Sequence, residues 1–268
     1  MVAAARPLPE LSTDEIIARI EAELDREGGG HVASDADGTL WDGDVGVDIF
    51  EALLATEGVR EEAAQTLAAD AAELGLTTQG KSPSALAAAL YRAYEDDRYP
   101  HDRAFAMMAW AFAGFREDEV RAFAQRVLDE GRIEARIRPE MRRILGWAEA
   151  RGVPIYVVSA SPIAIVEAGV ARLGVMVKRA LAMTPAIGPG GVLEPRLAAP
   201  PVYGEGKVRA LEAAGIAGPL LGAFGDSYYD AAMLRAARLR VAVTPAAHLL
   251  EIAHTIPELV KLARPSAP

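Results

Sequence analysis

The chain has 268 residues, 51% of them hydrophobic, enough for one large domain or two modest ones with a core that needs no staples. It has no cysteine, which excludes a disulfide framework, a thiolate metal site and a cysteine nucleophile, and suits a reducing compartment. A net charge of −10 argues against nucleic acid as a partner, so any anion the protein handles must be met by a local positive site.

The stretch 1–24 shows no charged head followed by a long apolar run, so no signal peptide is expected. The most apolar window, 105–115, is too short to cross a bilayer. A soluble, cytoplasmic protein with no membrane partner is the expectation.

Ser12 or Thr13 can cap a first helix, with Asp14 and Glu15 in its first turn and Ile16, Ile17, Ile20 and Leu24 on one face. Gly28, Gly29 and Gly30 end it, and a short strand over 31–34 stops at Asp35. From about 44 to 136 only helical signals occur, among them a stripe of Ile49, Phe50, Leu53 and Leu54, an alanine-rich run at 61–74, a helix opened by Ser82-Pro83 and another at 116–128. After Pro139 the rhythm changes to a helix at 140–151, a strand at 154–158 stopping at Ser159, and a helix at 163–173. A hairpin at 179–197, turning at Pro189-Gly190-Gly191, is followed by a helix at 207–214. A strand at 220–224 ending at Gly225-Asp226, a helix at 231–237 and a strand at 239–243 complete the pattern. Apolar strands alternating with helices predict an α/β fold, a parallel sheet covered on both faces.

Three strands end on polar residues able to do chemistry: Asp35, Ser159 and Asp226. Ligands of open parallel sheets bind at the carboxyl ends of strands, so these residues are expected to converge, with Lys207 on the same edge. Asp35-Ala36-Asp37-Gly38 can aim two carboxylates into one pocket while Gly38 admits a close approach; it fits a solvated turn equally well. Asp226 and Asp230, four apart, suit one side of a helical turn or simply a capped helix start. Four acids at one sheet edge call for a cation. Magnesium, which prefers carboxylate oxygens, fits better than zinc, since no histidine cluster accompanies them. Lys207, one of four lysines, could neutralise a phosphate or stand solvated at a helix start. Ser159-Ala160-Ser161-Pro162 offers backbone amides and a hydroxyl to an anion, or an N-cap. His31, His101, His248 and His254 are scattered and read as structural or exposed.

Together these segments resemble the haloacid dehalogenase superfamily. Asp35-Ala36-Asp37-Gly38-Thr39-Leu40 matches its first motif, Ser159 its second, Lys207 its third, and Gly225-Asp226 with Asp230 its fourth, in the right order and spanning about 31–245. The resemblance implies a Rossmann-like core and a phosphoaspartate formed on Asp35. Asp37 would act as general acid and base. Magnesium would be held by Asp35, the main-chain carbonyl of Asp37 and Asp226, supported by Asp230, and Ser159 and Lys207 would hold phosphoryl oxygens. Dehalogenases lack an acid at the Asp37 position, because halide leaves without a proton, so hydrolysis of a small phosphomonoester is implied.

The helical insert lies where the phosphoserine phosphatase-like branch carries its cap, which implies a discontinuous core at 1–44 and 136–268 and a cap at 45–135. Asp44 matches by offset an acid that binds the substrate amine in that branch, suggesting an amino-acid or amino-alcohol phosphate, with Gly38 and Ala160 also near substrate. Asp42, Asp44 and Asp48 could instead be a polar loop and helix start. The chain departs from that branch in having Ala160-Ser161 in place of a glycine pair and in lacking a Gly-Ala-Asn-Asp string, so the substrate stays open, as does the oligomeric state. Arg92, Arg98 and Arg103 are further candidates from the insert. Transfer to an alcohol acceptor would use the same residues. A non-enzymatic phosphoacceptor or scaffold fits less well, because receiver-type phosphoacceptors are much shorter and pair adjacent acids.

Overall fold

The computed structural model describes residues 7–264. Residues 1–6, which open the stretch read as free of a signal peptide, and 265–268, the end of the second core segment, lie outside the described residues.

A two-residue strand β1 (Glu10–Leu11) precedes helix α1 (Thr13–Glu27). The Glu15 amide donates to Ser12 Oγ, and the Ser12 amide donates back to the Glu15 carboxylate at 2.8 Å, a reciprocal cap worth about 1 kcal/mol. Gly28, in the left-handed region at φ 69°, ends the helix. Strand β2 (His31–Ser34) follows and is buried throughout.

Helices then run without an intervening strand: α2 (Val45–Ala55), α3 (Ala64–Glu73), α4 (Pro83–Glu95), α5 (His101–Trp110), α6 (Glu117–Glu130) and the single turn α7 (Ile133–Arg136). The chain returns to the sheet through α8 (Pro139–Ala150), β3 (Ile155–Pro162), α9 (Ile163–Val170) and β4 (Arg179–Met183). Next come β5 (Pro185–Ile187), β6 (Leu193–Leu197), α10 (Glu205–Ala213), β7 (Leu220–Gly225), α11 (Ala231–Ala236), β8 (Leu239–Ala242), α12 (Ala247–Ile252) and β9 (Val260–Leu262). Among the described residues no helix is long and apolar enough to cross a membrane.

Seven strands form one sheet in the order β1-β9-β8-β7-β2-β3-β4, every pairing parallel. Side chains alternate between its faces. Along β3, Ile155 and Val157 join Ile16 and Ile20 of α1 and Ile144 and Leu145 of α8. Tyr156 and Val158 join Leu211 of α10 and Met233 and Leu234 of α11 on the other side. Double coverage explains why the strands read as unbroken apolar runs. Chain order reverses at β2, which lies between β7 and β3, so a crevice opens beyond its carboxyl end, where Asp35 follows.

The expected α/β class and parallel sheet hold. The expected hairpin at 179–197 does not: β4 joins the main sheet, and the antiparallel pair is only β5 with β6. The apolar run 180–187 crosses from one sheet to the other at Thr184, and nothing in its composition marks the break. Strand β3 does not stop at Ser159 but continues to Pro162, and α10 begins two residues before Lys207.

Candidate active site

The carboxyl ends of β2, β3 and β7 and the start of α10 meet around one cavity of about 350 Å³. Its lining includes Asp35, Asp37, Gly38, Asp44, Ser159, Ala160, Lys207 and Asp226, so residues expected to converge from remote segments do share one space. Asp230 lies just behind it and is fully buried.

Lys207 is 2% exposed and donates from Nζ to Asp35 Oδ1 at 2.6 Å and to Asp230 Oδ1 at 2.5 Å. A cation in the first turn of a helix works against the helix dipole, and here two buried carboxylates offset that cost. Burial lowers the Lys207 pKa, but the charges of Asp230 and Asp35 outweigh it and leave the ammonium held above its ordinary value. The other oxygen of Asp230 accepts from the amides of Asp226 and Ser227, at 3.1 and 3.0 Å, and from Ser227 Oγ. Asp230 therefore braces the loop that carries Asp226 and holds the lysine in place.

Asp35 is 6% exposed, and its second oxygen accepts no hydrogen bond among the described residues. Burial first, then the Asp230 charge, push its pKa up to about 7 despite Lys207. Asp37 is held by three donors: Trp41 Nε1 at 2.8 Å and the Val45 amide at 2.7 Å on Oδ1, and Ser161 Oγ at 2.7 Å on Oδ2. Burial still raises its pKa, against the pull of those bonds. Ser159 Oγ accepts from the Ser161 amide at 3.0 Å, which leaves its own proton for a ligand in the cavity.

Asp35, Asp226 and Asp230 each bring a carboxylate oxygen within 4.8 Å of the others. The Asp226 carboxylate accepts no side-chain hydrogen bond among the described residues. Burial, then the Asp35 and Asp230 charges, push its pKa up to about 9. Gly38 makes room for that carboxylate: it sits at φ +71°, and a Cβ there would collide with Asp226. An oxygen-only set of crowded acids suits a hard divalent cation such as magnesium, with Asp226 free to donate, Asp35 keeping a second lone pair on its lysine-bonded oxygen, and Asp230 committed to its own hydrogen bonds.

These raised values carry a sign. Asp35 and Asp226 bind protons more tightly when folded than at the ordinary 3.8, so their contribution favours the fold at low pH and is lost as pH rises through about 7 and about 9. In chelator, the melting temperature is expected to fall between pH 6 and 9, and added magnesium to narrow that fall. A melting temperature that rises across this range in chelator would contradict the arrangement.

Asp44 caps α2, its Oδ1 accepting from the Val47 amide at 2.9 Å, while its side chain also lines the cavity. Burial, then the Asp37 charge, push its pKa up to about 8. Asp42 and Asp48 do not join it: they pair with Arg138 and Arg136, at 2.5 and 2.6 Å. The insert arginines are not in the lining either. Arg103 pairs with Asp70 and Glu73, Arg98 with Asp96, and Arg92 is exposed.

Sequence reasoning missed two groups. Ser161 follows Ser159 by two residues on a strand that continues past it, and that spacing returns its side chain to the same face. Tyr94, Phe105, Tyr229 and His248 form an aromatic wall of the cavity. His248, expected to be structural or exposed, lines the cavity, and His101 of α5 bonds through Nδ1 to the Tyr229 hydroxyl.

A sequence profile described as haloacid dehalogenase-like hydrolase matches residues 32–235. No curated protein matches significantly. Among solved structures, a protein of unknown function from Bordetella pertussis Tohama I shares 19% identity over 88% of this chain and 99% of its own, with a TM-score of 0.66. A functionally unknown protein from Anaerococcus prevotii DSM 20548 shares 16% over 97% and 94%, with a TM-score of 0.65. A probable phosphoserine phosphatase from Vibrio cholerae shares 14% over 88% of this chain and 61% of its own, with a TM-score of 0.52. These likenesses speak for the fold, and the profile match over most of the length speaks for the family: the chain belongs to the haloacid dehalogenase-like hydrolases.

Proposed function

We propose that this hydrolase is a magnesium-dependent phosphatase that cleaves a small phosphomonoester through an aspartyl phosphate on Asp35. One observation carries the reading. A buried carboxylate has one oxygen fixed by a buried lysine and the other open to a cavity, with a second acid two residues on.

Asp35 Oδ2 forms the new bond to phosphorus as the bond from phosphorus to the ester oxygen breaks. Asp37, whose raised pKa favours its protonated form, gives its proton to the departing oxygen, and the alcohol leaves. Asp37 then takes a proton from water as the water oxygen attacks phosphorus and the bond to Asp35 breaks. Phosphate departs, and both aspartates return to their starting states. Ser159 Oγ and the Lys207 ammonium offer hydrogen bonds to the phosphoryl oxygens, on which charge accumulates in the transition state. Magnesium, held by Asp35, the Asp37 carbonyl and Asp226, would supply further positive charge to those oxygens. The helices at 45–135 would act as a cap over the core formed by 1–44 and 136–268, placing Tyr94 and Phe105 over the reacting group, with Asp44 at the boundary capping the first of those helices.

Hydrolysis of p-nitrophenyl phosphate should require magnesium and stop in chelator, and full activity in chelator would remove the metal from the reading. Asp44 bears on the choice of ester. Asp44→Ala should raise KM for an amino-alcohol phosphate about tenfold more than for a neutral ester, the order expected for losing one charged contact. Equal effects on the two would take Asp44 out of amine recognition.

A further inference from the structure

The cavity's charge and its aromatic wall narrow the ester further. Its lining carries four acids, Asp35, Asp37, Asp44 and Asp226, and a single cation, Lys207, which already bonds Asp35 and Asp230. A phosphoryl group with a divalent ion can balance the acids near Asp35. Asp44 keeps one oxygen with no bond among the described residues, and no arginine or second lysine lies in the lining to meet it. For the same reason a second anionic group on the substrate, such as an amino acid's carboxylate, finds no arginine or second lysine there.

Tyr94 and Phe105 have centroids 5.7 Å apart at 65°, Phe105 and Tyr229 6.2 Å apart at 75°, and Tyr229 and His248 5.8 Å apart at 46°. Neighbouring rings are inclined to one another, so the wall does not form a parallel slot for a flat aromatic group. Tilted aromatic faces beside a carboxylate attract a cation through the ring quadrupole. A primary ammonium brings three N–H donors, and the free Asp44 oxygen, with two lone pairs, can satisfy at most two of them. The Tyr229 hydroxyl is already tied to His101. A fully alkylated nitrogen needs no acceptor.

We propose that the alcohol of the natural phosphomonoester carries a quaternary ammonium group, held among the faces of Tyr94, Phe105 and Tyr229 and balanced by Asp44, an inference that rests on the phosphatase reading above. Aromatic side chains from the helical insert (Tyr94, Phe105) and from the loop beside Asp226 (Tyr229) would then jointly choose the substrate.

The test compares phosphocholine with its neutral carbon isostere, 3,3-dimethylbutyl phosphate, and with phosphoethanolamine and phosphoserine. Expected is a kcat/KM for phosphocholine about 100-fold above the isostere, and at least about tenfold above the other two. Tyr94→Leu and Asp44→Asn should each shrink the first ratio to below about tenfold, whereas Tyr94→Phe, which keeps the ring face, should preserve it. A ratio near one, or a preference for phosphoethanolamine or phosphoserine, with p-nitrophenyl phosphate still hydrolysed, overturns the cage and leaves the phosphatase reading standing. If no ester is hydrolysed, the phosphatase reading fails, and calorimetric binding of choline against 3,3-dimethylbutanol to the wild-type protein decides the cage alone. Equal or absent binding of that pair overturns it, and selective binding of choline supports it.

Discussion

Replacing Asp35 by asparagine should lower kcat for p-nitrophenyl phosphate by about 10⁴-fold or more, the scale on which removal of a nucleophile acts. It should also abolish the acid-stable, hydroxylamine-sensitive labelling of the chain expected when a phosphorylated substrate is quenched in turnover. The amide keeps the size of the side chain and can still bond to Lys207, whose buried position and second partner, Asp230, are unchanged. The fold should therefore survive, and the lost activity can be assigned to chemistry. A near-normal kcat in this variant would mean that another group attacks phosphorus.

The second large effect is expected at Lys207. Its ammonium lies 2% exposed between two buried carboxylates, and Lys207→Met would leave them without their shared cation. Breaking a buried ion pair by removing one partner typically costs about 3–5 kcal/mol, which for a chain of this size lowers the melting temperature by about 10 °C. The deficit has a pH signature. Asp35 already titrates at about 7 with the lysine present, and without it the acid can escape its isolation only by taking up a proton. The melting deficit should thus be smaller at pH 5 than at pH 8. Turnover should fall as well, because the phosphoryl oxygens lose a donor. Unchanged stability at pH 8 would show that the two carboxylates do not depend on the ammonium.

Much of the core was legible in the sequence because its strands are buried on both faces and stand out as apolar runs. β2 lies where 31–34 predicted it, and β7 and β8 start where expected and differ by a residue at their ends. The edge strand β1 and its neighbour β9, with two and three residues, are too short to leave a pattern and pair only because residues 10–11 and 261–262 come together. The acids at the strand ends were visible because a polar residue closing an apolar run is conspicuous. The side chains that hold them were harder to see. Ser161 does its work two residues beyond the apparent end of a strand. Tyr94 and Phe105 stand at helical spacing within apolar stripes, and nothing local separates a ring that faces the cavity from one that faces the core. Tyr229 and His248 belong to the site only because the loop after β7 and the start of α12 fold toward helices encoded more than a hundred residues earlier.

The central position of β2 also governs when the protein can begin to work. Val32 pairs with Ile155 on one side and with Gly222 on the other, so the middle of the sheet closes through contacts far apart along the chain, the kind that slow folding. During synthesis Asp35 is made before the helical segment, and Lys207 and Asp226 are made after it. A ribosome-bound chain arrested before Asp230 emerges would carry Asp35 and the whole helical segment without the complete set of Asp35, Lys207 and Asp230, and should therefore show no phosphatase activity until the later strands are added.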